Sequence, residues 1–152
     1  VTLTGERNLG GADRITLKAV MDRMIPPVEE LPGAGSLGLV EQLETMAGRV
    51  PGLRFALAST LDALSLDPRA RAAGGFLALE GAAQDEAIRA VESALPAPFG
   101  AFLEMVYAAC YSDRRVHERI GWPPGGEMCR EPFDDSVLDL VRRREPFWRR
   151  IE

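Results

Sequence analysis

Residues 98–112 read PFGAFLEMVYAACYS. Within them Phe99, Phe102, Leu103, Val106, Tyr107, Cys110 and Tyr111 recur at helical spacing, which predicts an α-helix. The apolar arc is wide for a helix resting on a surface, so this segment is expected at the centre of a core, covered by other helices. Pro96 and Pro98 break the chain just before it, and Pro98 suits the first turn of a helix because that turn needs no intrahelical N–H.

Working outward, residues 83–95 place Ile88, Val91 and Leu95 on one helical face. Phe76, Leu77 and Leu79 form a brief apolar patch, read as one helical turn, after a short basic link over 68–75. Leu53, Leu57, Leu61 and Leu64 predict a helix over about 53–64. Before it, Ser36 is expected to cap a helix with Leu37, Val40, Leu43 and Met46 inward and Gly48 at its end. Thr16 is expected to cap a first helix that buries Leu17, Val20, Met21 and Met24 and stops at Pro26-Pro27. On the other side, Asp113 is expected to cap a short turn through Ile120. Residues 121–133 (GWPPGGEMCREPF) are too rich in Pro and Gly for regular structure. A last short helix is predicted from Ser136, with Pro146-Phe147-Trp148 ending it.

No strand-like alternation competes anywhere, so the fold class is all-α. The expected architecture is an irregular bundle of about five helices with an extended, aromatic C-terminal segment. Residues 1–13 read as a flexible arm. Residues 14–152 read as one helical domain, extended over 121–135 and ending in a helix and tail over 136–152.

Composition supports one globular domain. The 152 residues are 46% hydrophobic and 27% charged, which excludes a collagen-like fibre, a disordered tail and a coiled-coil rod. The net charge is −5, which argues against nucleic acid as a partner, since its phosphates need a cationic face. All the basic residues but Lys18 are arginine. No apolar run reaches the ~18 residues of a membrane span. Two cysteines, Cys110 and Cys129, and one histidine are too few for a disulfide framework or a structural zinc site. The cysteines read as two free thiols, with a Cys110–Cys129 bridge as the alternative.

Catalytic groups are scarce. Gly33-Ala34-Gly35 looks like half of a dinucleotide fingerprint but follows a loop, not a strand. His117, between Asp113 and Glu118 in sequence, reads either as a general base or metal ligand oriented by a carboxylate, or as a surface or capping histidine. Glu29-Glu30 and Asp134-Asp135 are adjacent carboxylates whose side chains diverge, so neither is an acid–base pair. No catalytic, cofactor or metal residue is therefore nominated.

Aromatic residues point instead to contact. Trp122-Pro123-Pro124 is stiff and apolar, and either folds back over Tyr107 and Tyr111 or docks onto another protein. Arg142, Arg143 and Arg144 suit a helix C-terminus, but Phe147 and Trp148 need an apolar cover. The nominated interface is Tyr107, Tyr111, Trp122, Pro123, Pro124, Phe133, Arg142, Arg143, Phe147 and Trp148.

Three segments in order carry a family resemblance. They are LKAVMDRMIPPVEELPGAGSLGLVEQLE (17–44), FLEMVYAACYSDRRVHERIGWPPG (102–125) and PFDDSVLDLVRRREPFWR (132–149). Together they resemble gluconate 2-dehydrogenase subunit 3, in its shorter variant. The resemblance implies a non-catalytic small subunit beside a large FAD-dependent oxidoreductase of the glucose-methanol-choline (GMC) type. That partner would hold the FAD, and this chain none. A free-standing, homodimeric binding module is the alternative. With no twin-arginine signal visible, the expected location is cytoplasmic, or periplasmic if a signal was removed before Val1.

Overall fold

A computed structural model describes residues 9–122. They form seven α-helices: α1 (Gly11–Met24), α2 (Val40–Arg49), α3 (Pro51–Leu66), α4 (Pro68–Ala73), α5 (Gly81–Ala94), α6 (Pro96–Tyr111) and α7 (Arg114–Ile120), with a 3-10 turn at Phe76–Ala78. Among the described residues there is no strand, only an isolated bridge between Val28 and Leu31. The all-α expectation holds, with more helices than the five expected.

The central helix is where its pattern placed it. α6 buries Phe99, Phe102, Met105, Val106, Ala109 and Cys110, with Phe102 and Val106 wholly out of solvent. It packs chiefly on α3, with α2, α5 and α7 also against it. Phe99 and Phe102 meet edge to face at 6.1 Å, a favoured arrangement for ring quadrupoles. α3 answers with Ala56, Leu57, Thr60, Leu61 and Leu64. Burying each large apolar side chain is worth about 1.5–3 kcal/mol, so this pair of helices anchors the fold.

Several boundaries move, each for a local reason. α1 starts at Gly11, not at Thr16; Gly10 is its N-cap, and Asp13 accepts a hydrogen bond from the Gly10 N–H at 3.2 Å. α2 starts at Val40, not after Ser36, and runs through Gly48 to Arg49. Residues 68–73 form α4 where a link was expected. Asp67 caps it by accepting from Arg69 N and Ala70 N at 2.9 and 3.2 Å, Pro68 fills its first position, and Gly74 ends it in the left-handed region.

Ser36 has a different task. Its N–H and its hydroxyl both donate to the Asp22 carboxylate at 2.9 Å, tying the loop before α2 to α1. The same loop presses Gly35 so close to α1 that an added Cβ would lie 1.9 Å from the Lys18 carbonyl oxygen. A Cβ at Gly33 would lie 2.4 Å from Asp22 Oδ1. The Pro/Gly loop is thus a lock on α1, closed by one carboxylate and two missing side chains. Ion pairs add lesser ties across the surface: Arg14 grips Glu44 at 2.9 and 2.5 Å, and Arg23 grips Asp85 at 2.7 and 2.5 Å.

Two outcomes follow for stability. Thr60 Oγ1 is wholly buried and has no hydrogen-bond partner among the described residues. Thr60→Val removes that uncompensated hydroxyl at nearly constant shape, so chemical denaturation is expected to show a gain of about 1 kcal/mol. A loss would mean the hydroxyl has a partner. Gly35→Ala is expected to cost about 3 kcal/mol or to block folding, because backbone atoms cannot yield as a flexible side chain does. Unchanged stability of that variant would contradict the close packing of the loop on α1.

Candidate partner interface

Of the ten nominated residues, three are described: Tyr107, Tyr111 and Trp122. Pro123, Pro124, Phe133, Arg142, Arg143, Phe147 and Trp148 lie outside the described residues, as does Cys129. All three described residues are exposed, Tyr107 at 43%, Tyr111 at 56% and Trp122 at 55%. The two tyrosines sit one turn apart on α6, opposite its buried face, with ring centroids 6.1 Å apart and planes tilted by 43°. The sequence placed Tyr107 and Tyr111 on the apolar arc of α6; the structure leaves them as its wet edge. A phenol suits that position, since its ring is apolar and its hydroxyl stays hydrated.

Helix α7 comes next, and Trp122 follows directly on its last turn. Asp113 caps it as expected, accepting from the Arg115 N–H at 2.9 Å. The Arg115 guanidinium also binds both Asp113 oxygens, at 2.9 and 2.8 Å. These hydrogen bonds, backed by charge attraction, hold the Asp113 carboxyl below the usual carboxylate range. The helix ends at Gly121, whose φ of 69° is left-handed. The turn is closed by the Trp122 N–H, which donates to the His117 carbonyl at 2.8 Å. Trp122 therefore follows directly from a capped helix.

The imidazole of His117 is engaged with backbone. Its Nε2 contacts the Tyr111 carbonyl, one of the unsatisfied acceptors at the end of α6. That is the capping role. The neighbouring carboxylates are each held by an arginine: Asp113 by Arg115, and Glu118 by Arg114 at 2.7 Å. The remaining arginine of the helix, Arg119, pairs with Glu29, which itself adopts a left-handed φ of 53°.

Among the described residues no group of three or more His, Cys, Asp or Glu side chains is placed to hold a metal. Cys110 is free and buried; desolvation first, then the nearby Asp113 charge, push its thiol up, away from the thiolate a nucleophile needs. The glycines of Gly33-Ala34-Gly35 lie close against α1, in a loop that follows no strand. No described helix is long and apolar enough to cross a membrane. A cleft of about 290 Å³ opens between α1, α2 and α3, floored by Leu57 and Leu61 and edged by Asp13, Glu44 and Arg54. Tyr107, Tyr111 and Trp122 do not line it.

Sequence reading missed two features of this end of the molecule. Val28 and Ile120 are exposed apolar side chains next in sequence to the Glu29–Arg119 pair. The Arg115 Nη2 donates to the Leu37 carbonyl at 2.6 Å, tying α7 to the loop of residues 25–39. Seventy-eight positions separate those partners, and no periodicity signals such a contact.

Comparison with curated proteins and with solved structures finds no match. The family of gluconate 2-dehydrogenase subunit 3 matches residues 12–126, a span that runs from the first helix past Trp122. It takes in both the α1-loop lock and the aromatic end built by α6 and α7. The chain belongs to the gluconate 2-dehydrogenase subunit 3 family.

Proposed function

We propose that this chain is a non-catalytic small subunit that assembles with a large FAD-dependent, GMC-type sugar or polyol dehydrogenase and supports its maturation. Family membership over residues 12–126 is the observation that carries the subunit role. The exposed Tyr107, Tyr111 and Trp122 support docking at this end of the molecule. Tyr and Trp are enriched at binding hot spots because they bury much area while losing little rotamer freedom. In this reading the FAD and the sugar chemistry belong to the partner. The engaged His117, the paired carboxylates and the buried Cys110 agree with that division of labour.

The tyrosine pair on α6 is held by the rigid core and offers a preformed apolar step. Trp122, fixed through Gly121 and the His117 carbonyl, supplies a second anchor. Arg114 and Arg119 stand around them as a polar rim, screened by salt and worth little individually. In this reading Pro123, Pro124, Phe133, Arg142, Arg143, Phe147 and Trp148 extend the contact area and rim. Location follows the partner: cytoplasmic for the chain as read, or periplasmic if it travels with an exported large subunit.

Co-expression with a large flavoprotein dehydrogenase of the same cell tests the role. The two are expected to purify together, and the large subunit made alone is expected to carry less flavin. A large subunit that folds, fills with FAD and turns over equally well without this chain contradicts the proposal. Within the complex, Tyr111→Ala and Trp122→Ala are each expected to weaken assembly about 30-fold, the loss of a hot spot of ~2 kcal/mol, with the helical circular dichroism unchanged. Affinity that ignores both changes places the interface elsewhere.

A further inference from the structure

α7 is joined to its neighbours by little apolar burial and several polar contacts. It is a seven-residue helix with one buried side chain, Val116. A helix this short has no stability of its own, because nucleation costs more than its few hydrogen bonds return. What holds it is mostly polar. Arg115 reaches across to the Leu37 carbonyl at 2.6 Å, and Arg119 pairs with Glu29. Both ties end on the same loop, residues 25–39, and both are solvent-accessible at the arginine. By contrast α6, immediately before it, buries six side chains. The break between the two helices is abrupt: Ser112 is still helical, and Asp113 turns to an extended ψ of 131°. On the loop side, Glu29 holds a left-handed backbone that a side-chain-bearing residue adopts at a cost, and that Arg119 contact helps to hold.

We propose that α7 is a detachable strap. It opens as one unit by rotation at Ser112–Asp113, breaking the Arg115–Leu37, Arg119–Glu29 and His117–Tyr111 ties, while α1 to α6 stay folded. Arg115 is its rivet, since one guanidinium both caps the helix through Asp113 and fastens it to the Leu37 carbonyl. Opening moves Trp122 relative to Tyr107 and Tyr111, because the tyrosines belong to α6 and the tryptophan follows α7. The strap thereby governs whether the aromatic end is presented as one surface. That consequence rests on the docking reading above; the opening itself does not.

Hydrogen exchange on the full chain, read by mass spectrometry, tests the strap without any partner. The amides of 115–122 are expected to exchange at least ~10-fold faster than those of α6, as a low-stability unit does. Raising NaCl from about 0.05 M to about 1 M shortens the screening length and is expected to speed the α7 amides severalfold, leaving α6 unchanged. Arg115→Ala is expected to speed α7 by about 10-fold at low salt and to flatten the salt response, the loss of one charge-assisted hydrogen bond. Arg14→Ala, which breaks a surface pair between α1 and α2, serves as the control and is expected to leave α7 unchanged. Equal protection of α7 and α6, or α7 exchange indifferent to both salt and Arg115→Ala, overturns the strap. Failure to assemble with a dehydrogenase, with the exchange pattern as expected, overturns only the docking reading.

Discussion

The fold depends on burying one helix that is apolar around most of its circumference. α6 is flanked by α2, α3, α5 and α7 because a segment carrying Phe99, Phe102, Met105 and Val106 has no stable position at a surface. Everything else is placed by that demand. α3 supplies the principal opposing face, and the rings of Phe99 and Phe102 fill the layer nearest the start of α6. Tyr107 and Tyr111 lie on the side of the same helix that is left exposed. The helix that centres the core thus also carries the tyrosines on which the functional reading rests.

Around this core, short polar connections set the positions of loops that hydrophobic burial alone leaves undetermined. Asp22 takes two hydrogen bonds from Ser36, and the glycines at 33 and 35 let the loop lie directly on the α1 backbone. That loop in turn offers Leu37 and Glu29 to α7. The matched family spans this whole relay, from α1 through the loop to α7. Within that span, the loop and α7 are held by packing and by the hydrogen bonds of Asp22, Ser36, Arg115 and Arg119.

Much of this was legible in the sequence, and the illegible parts share one cause. The periodic apolar residues of α3, α5 and α6 announced themselves, because one helical face decides them. The Asp113 cap was readable, since capping is local. The start of α1 was not, because Asp13 and Gly10 compete with Thr16 and no local rule ranks them. α4 carried a readable signal that was passed over: Asp67-Pro68 followed by Gly74 is a cap, a first-turn proline and a terminator in order. The work of Ser36 was unreadable, since its partner Asp22 lies fourteen residues away in another element. Of the interface, which side of α6 stays exposed was not legible, because helical spacing puts Tyr107 and Tyr111 on the same apolar arc as Phe102 and Val106, and packing against other helices decides between them.

The account holds that this chain acts by contact at its aromatic end. A photo-crosslinking amino acid at position 111, compared with one at the equally exposed Phe55 on α3, tests this in cells. The account predicts an adduct with a large flavin-containing subunit from position 111 and none from position 55. Adducts from position 55 alone, or only a covalent dimer of this chain, would contradict it.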